Sequence, residues 1–335
     1  MRYIALEEAF SIPELAGHQP PPWTGLRMKT EIVRDWARRL PDFTEYRLPD
    51  MDEAGIDIQV LSLTVPGVQV DIDEKTARDD ARLANDFLAG IVAQHPTRFR
   101  GFAALPMQDP KAAVAELERC VEQLGFVGAL VNDRLGGHYL DEPRYDPLWS
   151  ALADLAVPLY LHPGTPPVDR WKVLENRREL YGATWSWAAE TGGHALRVIY
   201  GGVFDRHPDA RLILGHMGEF LPFMRSRLDS RYRIHDPEAP LLRAPSSYIG
   251  TNVLITTSGV SSPAALTGAV LEIGADAIMF SVDYPYETTR EAVDGFERTT
   301  LSDADRAKIA YSNAERLLRL NQRHATGANA APEKE

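Results

Sequence analysis

The stretch VPLYLHPG, residues 157–164, carries a run of apolar, strand-forming residues directly into a histidine. A short apolar run bounded by chain breakers is typical of a buried strand, and here Pro163 and Gly164 end it. His162, at the end of that strand, is then either a hydrogen-bonded cap or a ligand that points out of the open end of a barrel. The pattern in the rest of the chain distinguishes these two possibilities.

Seven further apolar runs recur along the chain, and most of them are followed by a segment with helical periodicity. These runs are YIALEE (3–8), IDIQVLSLT (56–64), FRGFAALP (99–106), FVGALVND (126–133), ARLILGH (210–216), VLITTS (253–258) and AIMFSVD (277–283). Their interiors are continuous rather than alternating, as expected for parallel strands that are covered on both faces. Eight strand-helix units in one chain predict an α/β fold of the (β/α)8 TIM barrel type. A doubly wound sheet is disfavoured because no GxGxxG phosphate loop follows the first strand at Glu8.

The domain organisation is expected to be simple. We predict a single catalytic domain over residues 1–324, followed by a small, polar and disordered tail at 325–335. Residues 11–50, which include the proline- and tryptophan-rich PPPWTG, form a long connection after the first strand. Connections of that length are usually lids or interface elements, so this one is predicted to be functional.

The composition favours a small-molecule partner over nucleic acid. The 335 residues are 44% hydrophobic, and 36 basic against 48 acidic residues give a formal charge of −12 without a basic run. The first residues lack the pattern of a signal peptide, and no window offers 18 uninterrupted apolar residues, so we expect a cytoplasmic protein without a membrane partner. The single cysteine, Cys120, lies in a helical pattern and is predicted to be a buried apolar side chain rather than a nucleophile.

Polar side chains stand at the carboxyl ends of five predicted strands, where barrel enzymes carry their chemistry. They are Glu7 and Glu8 on the first strand, Asn132 and Asp133 on the fourth, His162 on the fifth, His216 on the sixth and Asp283 on the eighth. Because the first and eighth strands are neighbours in a closed barrel, Glu7 and Asp283 are expected to meet, with His162 across the mouth from them. Two carboxylates and one imidazole predict a site for a divalent ion. One such residue alone would more simply be a cap, but their matching positions favour the ligand interpretation.

A second imidazole has a carboxylate close to it in sequence. His216 opens HMGEF, and Glu219 follows at the predicted N-terminal turn of a helix through LPFMRSRLDSRYRI. A carboxylate in that place orients the imidazole and raises its basicity, which makes His216 a candidate for proton transfer. The alternative is a favourable acidic residue at a helix start. Arg227, two turns further on, is either a guanidinium for an anionic substrate or a surface arginine.

Five segments together resemble the ortho-hydroxybenzoate decarboxylases of the amidohydrolase superfamily (amidohydrolase 2), especially the γ-resorcylate (2,6-dihydroxybenzoate) enzymes and their 2,3-dihydroxybenzoate and salicylate relatives. The segments are YIALEEAF (3–10), GFVGALVND (125–133), VPLYLHPG (157–164), LILGHMGEFLPF (212–223) and FSVDYPYE (280–287), and the similarity runs from residue 3 to about 320. The resemblance implies a distorted TIM barrel and a homodimer or homotetramer. It also implies one metal ion held by Glu7, His162 and Asp283, with His216 and Glu219 as the catalytic pair and Arg227 near the substrate.

The first strand departs from the hydrolytic members of that superfamily. Those enzymes usually carry His-x-His on the first strand and often a bridging lysine on the fourth, whereas this chain has Glu7-Glu8-Ala9 and no lysine in FVGALVND. A binuclear hydrolytic centre is therefore poorly supplied. The γ-resorcylate enzymes often have histidine at the position of Ala9, while the 2,3-dihydroxybenzoate and salicylate relatives have alanine. The substrate stays open among these acids, and mixed nitrogen and oxygen ligands accept Zn²⁺, Mn²⁺ or Mg²⁺.

The chemistry that this resemblance implies is the non-oxidative decarboxylation of a small aromatic acid. We expect Asp283 to protonate the ring carbon that bears the carboxylate, and His216, oriented by Glu219, to handle the phenolic proton or to reload Asp283. Arg227 and Asn132 are expected to bind the substrate. Trp23, in the long first connection, either covers the aromatic ring or anchors its own loop by packing.

Two other functions remain open from the sequence. In a mononuclear hydrolase of a lactone or related ring, Asp283 would activate water instead of protonating carbon. A catalytically silent barrel used for binding is the third possibility, although such a barrel has no need of four polar strand-end residues at one mouth.

Overall fold

The computed structural model describes residues 1–15, 28–164 and 171–320, and its strands all pair in parallel. The strands are β1 (Ile4–Phe10), β2 (Ile58–Leu63), β3 (Phe99–Gly101), β4 (Ala103–Ala104), β5 (Ala129–Asn132), β6 (Leu159–His162), β7 (Leu212–Leu214), β8 (Val253–Thr256) and β9 (Ile278–Met279). They form a three-stranded sheet in the order β1-β2-β3 and a six-stranded sheet in the order β4-β5-β6-β7-β8-β9. Strand order therefore follows the sequence, as in a barrel.

The third predicted strand is the one that differs from expectation. The run at 99–106 forms two short strands, β3 and β4, which belong to different sheets. The reason lies at Phe102, whose amide donates to the Leu61 carbonyl at 2.9 Å, whereas the next amide, that of Ala103, donates to the Gly128 carbonyl at 2.9 Å. The chain thus changes its neighbour within a single residue.

Individual hydrogen bonds join the first strand to the segment after the last one. The amides of Leu6 and Glu7 donate to Ser281 Oγ at 3.2 and 2.7 Å, and the Ala9 amide donates to the Tyr284 carbonyl at 2.7 Å. These contacts place β1 beside the segment that follows β9. The predicted parallel α/β architecture is confirmed, and in the described residues it has eight strand positions in TIM-barrel order without one continuous ladder.

Helices connect the strands and cover them. They are α1 (Thr30–Arg39), α2 (Arg47–Ala54), α3 (Glu74–Gln94), α4 (Pro110–Glu122), α5 (Asp146–Asp154), α6 (Ser186–Tyr200), α7 (Val203–Arg206), α8 (His216–Glu219), α9 (Arg225–Tyr232), α10 (Pro263–Ile273), α11 (Thr289–Glu297), α12 (Asp303–Ala307) and α13 (Asn313–Leu318). Short 3₁₀ segments lie at Pro13–Leu15, Pro143–Tyr145, Lys172–Leu174, Arg178–Leu180, Gly182–Thr184, Leu221–Met224, Pro245–Tyr248 and Ala275–Ala277, with a π-helical turn at Lys308–Ser312. Side chains cap the starts of two of these helices: Asp109 accepts from two amides at the start of α4, and Ser262 accepts from the Ala265 amide at the start of α10.

Two apolar clusters make up the core. The larger one lies between the strands and the helices and includes Cys120 of α4, which is buried as predicted. The smaller one joins residues from nearly every strand, among them Leu6, Val60 and Tyr160, and Leu318 of α13 belongs to it. Leu6, Tyr160 and Met279 of this cluster precede the polar strand-end residues in sequence, which places those polar residues at the carboxyl ends of the strands.

The long connection after β1 contains a helix of its own. Helix α1 lies within the predicted 11–50 connection, and Trp36 on it packs edge-on against Tyr286 with 5.0 Å between ring centroids. Trp23 and the predicted tail at 325–335 lie outside the described residues. Among the described helices, none is long and apolar enough to span a lipid bilayer.

Candidate active site

The two carboxylate oxygens of Glu7 have different surroundings. Glu7 is 3% exposed, and its Oε2 accepts hydrogen bonds from the Tyr160 hydroxyl and the Ser258 hydroxyl. Its Oε1 is buried and has no hydrogen-bond partner among the described residues. A Cβ atom at Gly215 would overlap Oε2, so glycine is required where β7 ends beside this carboxylate. The hydroxyls hold one oxygen and leave the other directed into the site.

His162 presents an unprotonated nitrogen to the unpaired Glu7 oxygen. Its Nδ1 lies 2.9 Å from Asn132 Oδ1 and 2.8 Å from the Pro163 carbonyl oxygen. Both neighbours are acceptors, so Nδ1 carries the proton and Nε2 keeps its lone pair. Burial lowers the pKa of His162 to about 4, against the opposing charge of Glu7, so the ring is neutral at neutral pH. The Nε2 atom lies 3.3 Å from Glu7 Oε1.

His216 approaches the same oxygen from a left-handed turn. Five successive residues, 216 to 220, have positive φ angles between 48° and 75°, so α8 is not the start of the long right-handed helix that the sequence predicts. Backbone of this kind is costly and is held by its surroundings. Here the His216 amide donates to Ser258 Oγ at 3.0 Å, and His216 Nδ1 lies 2.7 Å from Glu219 Oε1. The predicted His216–Glu219 contact is present, but this turn forms it instead of a helix.

The charges around His216 favour its protonated form. Its Nε2 lies 3.3 Å from Glu7 Oε1 and 3.6 Å from Asp283 Oδ2. Burial lowers the pKa of His216, but the negative charges of Glu7 and Glu219 outweigh it and hold that pKa well above its usual value. The Glu219 pKa is itself raised by burial, against the attraction of His216. Without a bound cation, the imidazolium thus supplies the positive charge among these carboxylates.

Asp283 completes the group from the end of β9. Its φ angle is +82°, a value that residues other than glycine rarely adopt. Burial and the charge of Glu7 together raise the pKa of Asp283 to about 7, against the hydrogen bond and the charge of His216. An Asp283 carboxyl with this pKa exchanges protons near neutrality, whereas a nearby cation pulls the pKa down.

Four side chains converge at this rim. One ligand atom each from Glu7, His162, His216 and Asp283 lies within 4.8 Å of the others. Carboxylate oxygens and a neutral imidazole nitrogen are donors that suit a divalent transition metal. The unpaired Glu7 Oε1, buried between two imidazole Nε2 atoms, is the atom that such an ion would satisfy. The residues therefore fit a mononuclear metal site, and His216 lies beside the three ligands that the sequence predicts.

A cavity of about 180 Å³ opens beside His216 and Asp283. Its apolar wall comes from α6, the left-handed turn, the 3₁₀ segment after it and the start of α10, and its lining includes Trp187, Met217, Phe220, Phe223, Val260, Ala265 and Glu287. The volume is below the roughly 300–1,000 Å³ of pockets for drug-sized ligands, so it suits a single ring. The Trp187 ring lies 6.1 Å from that of His162.

Two of the predicted substrate-binding residues, Asn132 and Arg227, are absent from the lining of this cavity in the described residues. Asn132 is buried behind His162, where its Oδ1 accepts from His162 Nδ1 and its Nδ2 donates to Gln69 Oε1 at 3.3 Å. Arg227 is exposed on α9, and neither residue lines the cavity in the described parts of the chain. Asn132 thus stands where it orients a ligand, while a substrate contact by Arg227 or Trp23 stays a prediction.

Sequence reasoning did not select the cavity wall. Trp187 lies on α6 and Phe223 lies eight residues after Gly215, so only the packing of their elements brings them together. The segment LILGHMGEFLPF did hold a signal, because its aromatic residues directly follow the His216–Glu219 pair.

Comparisons with known proteins agree on one family. A protein-family model described as amidohydrolase matches residues 15–320. The chain is 45% identical over 332 residues to a gamma-resorcylate decarboxylase of Polaromonas sp. (strain JS666), which covers 95% of this chain and 99% of that relative. A solved 2,6-dihydroxybenzoate decarboxylase in complex with 2,6-dihydroxybenzoate matches with a TM-score of 0.89 and 44% identity, over 95% of this chain and 99% of the other. A solved structure of a dihydroxybenzoic acid decarboxylase from Polaromonas sp. JS666 contains bound manganese and the inhibitor 2-nitroresorcinol. It matches with a TM-score of 0.87 and 44% identity, over 95% of this chain and 97% of the other.

Proposed function

This chain belongs to the amidohydrolase family, and from that membership we propose that it decarboxylates an ortho-hydroxybenzoate, with 2,6-dihydroxybenzoate (γ-resorcylate) as its substrate. The class, a metal-dependent carboxy-lyase, rests on relatives that are named decarboxylases and on a relative that holds manganese. The proposed substrate rests on two of those relatives, one named for γ-resorcylate and one bound to 2,6-dihydroxybenzoate.

One observation carries the proposal. The buried, unpaired Glu7 Oε1 lies between His162 and His216, and a ring-sized apolar cavity begins at His216 and Asp283. A cation site that opens into an aromatic wall suits a flat, anionic ring acid. We propose that Glu7, His162 and Asp283 hold the ion and that His216 lies within reach of it.

A divalent ion held by Glu7, His162 and Asp283 would supply positive charge that stabilises the negative charge of such an acid. The chain's own residues do the rest. Asp283 delivers a proton to the ring carbon that bears the carboxylate, because a bare aryl anion is too high in energy to form. The bond from that carbon to the carboxylate then breaks, its electron pair restores the aromatic ring, and CO₂ leaves.

The proton on Asp283 must be replaced after each turnover. His216 Nε2 lies 3.6 Å from Asp283 Oδ2, and Glu219 holds the other ring nitrogen. We assign His216 the transfer of a new proton, taken from solvent, to Asp283, and Glu219 the orientation of the imidazole. Trp187, Phe220 and Phe223 line the cavity and are assigned apolar contact with the ring.

Product analysis after metal exchange tests this proposal. Protein stripped with a chelator and reloaded with Mn²⁺, Zn²⁺ or Mg²⁺ is given 2,6-dihydroxybenzoate, 2,3-dihydroxybenzoate, salicylate and, as a control without an ortho hydroxyl, benzoate. We expect CO₂ release to be fastest from 2,6-dihydroxybenzoate, to disappear on stripping and to return with Mn²⁺. Hydrolysis of lactones without CO₂ release from any of these acids would identify the alternative enzyme, and an inert protein that contains no stoichiometric metal would identify the silent barrel.

The assembly is a separate proposal. The resemblance implies a homodimer or homotetramer, and light scattering on the purified protein measures the mass directly. A monomeric mass would remove this part of the proposal without affecting the chemistry.

A further inference from the structure

Glu8 is the neighbour of Glu7 on β1, yet its carboxylate lies among different partners. It is 0% exposed, and donors occupy both of its oxygens. Oε1 accepts from Ser281 Oγ at 3.1 Å and from the Val282 amide at 3.0 Å. Oε2 accepts from Gln59 Nε2 at 3.2 Å and from the Tyr284 amide at 3.3 Å. Four donors around two oxygens suit a carboxylate that only accepts, while burial raises the pKa of Glu8 to about 8 against the hydrogen bond from the Val282 amide and the charge of Arg47.

Two of these four donors flank Asp283. The amides of Val282 and Tyr284 belong to the residues that precede and follow Asp283, and the Ala9 amide donates to the Tyr284 carbonyl at 2.7 Å. Asp283 itself has a φ angle of +82°, which the surrounding contacts must enforce because a side chain disfavours it. The Glu8 carboxylate therefore accepts hydrogen bonds from the backbone on both sides of Asp283.

A buried cation stands behind the carboxylate. The Arg47 side chain is also 0% exposed; its Nη1 donates to Gln59 Oε1 at 3.0 Å and its Nη2 donates to the Ala9 carbonyl. The guanidinium lies over the Tyr284 ring, 4.3 Å from the centroid. Gln59 thus links the Glu8 carboxyl to the Arg47 guanidinium, whose charge opposes the rise that burial causes in the Glu8 pKa.

We propose that Glu8 is a positioning residue of the active site, whose carboxylate clamps the backbone amides of the two residues that flank Asp283 and aims the Asp283 carboxyl at Glu7 and His216. This inference rests on the proposed function, in which Asp283 is a metal ligand and the proton donor. Neither Glu8 nor Arg47 lines the cavity in the described residues, so the effect of Glu8 reaches the reaction through Asp283 alone.

The Glu8→Gln variant tests the clamp, with Mn²⁺ affinity of the stripped protein as the first measurement. Glutamine keeps the length of the side chain, but its NH₂ group replaces an acceptor oxygen and then faces hydrogen-bond donors. Changes in groups that orient metal ligands typically weaken metal binding about 10–100-fold, and we expect a loss in that range. At saturating Mn²⁺, we expect kcat to fall at least about tenfold, with KM changed much less.

A matched control separates the clamp from general loss of stability. Asn85 is equally buried and also grips strand backbone, since its side chain both donates to the Ala104 carbonyl and accepts from the Ala104 amide at 2.9 Å. That strand, β4, carries no site residue. Asn85→Leu is expected to lower the melting temperature and to leave Mn²⁺ affinity and kcat unchanged.

The outcomes distinguish this inference from the proposed function. If the Mn²⁺ affinity and kcat of Glu8→Gln equal those of the wild type or of Asn85→Leu, Glu8 does not position Asp283. That conclusion holds even where Asp283→Asn is inactive and the proposed function stands. If Asp283→Asn is itself normal in both measurements, the proposed function fails first. Should Glu8→Gln not fold, Glu8→Asp keeps the charge and withdraws the carboxylate by one methylene from the two amides. The same weakened Mn²⁺ binding is then expected, and wild-type affinity would overturn the proposal.

Discussion

Glu7 shows how neighbouring side chains prepare a single oxygen for a ligand. Tyr160 and Ser258 hold Oε2, and Oε1 is left to face two imidazole nitrogens. Because these hydroxyls fix the rotation of the carboxylate, they decide where Oε1 points. The affinity of the metal site therefore depends on residues that do not themselves bind the ion.

We expect Tyr160→Phe to weaken Mn²⁺ binding about 10-fold and to lower the free energy of unfolding by about 1–2 kcal/mol, since it removes a buried donor from Glu7 Oε2. Isothermal titration with Mn²⁺ and urea unfolding measure the two effects. Tyr145→Phe, a change at another buried tyrosine at the start of α5, is the control and should leave metal affinity intact. Equal affinities for the two variants would mean that Tyr160 does not orient Glu7.

Asp283→Asn is expected to abolish CO₂ release while substrate binding is partly retained, because the amide cannot supply the proton. Calorimetric titration with 2,6-dihydroxybenzoate and a CO₂ assay at saturating Mn²⁺ report on the two steps separately. Near-normal turnover by this variant would remove Asp283 as the donor.

At the scale of elements, the turn after β7 departs furthest from regular geometry. It runs through five left-handed residues and brings His216 against Glu7, while Gly215 lies so close to Glu7 Oε2 that no side chain fits there. The close approach of His216 to Glu7 therefore depends on the whole turn and on Gly215 before it, and not on His216 alone.

Gly215→Ala is expected to weaken Mn²⁺ binding at least about tenfold and to cost about 1–3 kcal/mol of stability, because the added Cβ displaces the Glu7 carboxylate. Gly193→Ala is the matched control: it lies within α6 with open space around it and should be neutral or stabilise the fold by up to about 1 kcal/mol. Both are measured by Mn²⁺ titration and urea unfolding. A Gly215→Ala variant with wild-type affinity would show that Glu7 has room to move.

The elements also show what sequence patterns predict and what they miss. Apolar runs that end in polar residues predict both the strands and the rim at which Glu7, His162 and Asp283 meet, because parallel strands place their carboxyl ends together. The left-handed turn at His216 could not be predicted, since it is held by a tertiary contact to Ser258. The division of the third strand at Phe102 likewise depends on its two spatial neighbours, and the cavity wall at Trp187 depends on how α6 packs.

At the scale of the whole molecule, a metal ion bound at the rim would link the first and last strands of the barrel. Glu7 lies on β1 and Asp283 follows β9, and in the described residues single hydrogen bonds rather than a ladder join these two segments. The three proposed ligands are separated in sequence, so the ion has little affinity for the unfolded chain. Binding should therefore stabilise the folded state.

At a free Mn²⁺ concentration 100 times Kd, the free energy of unfolding should rise by about 2.7 kcal/mol, and chelation should remove that gain. Thermal unfolding with and without Mn²⁺ measures it as a rise in Tm. Glu7→Gln is expected to abolish the rise. A rise of the same size in that variant would place the stabilising ion elsewhere.

Anomalous diffraction from crystals of the Mn²⁺-loaded protein locates the ion itself. We expect one strong peak, roughly 2–2.5 Å from ligand atoms of Glu7, His162 and Asp283, within reach of His216 Nε2. A peak at another place, or a loaded protein with no peak at this rim, would contradict this expectation.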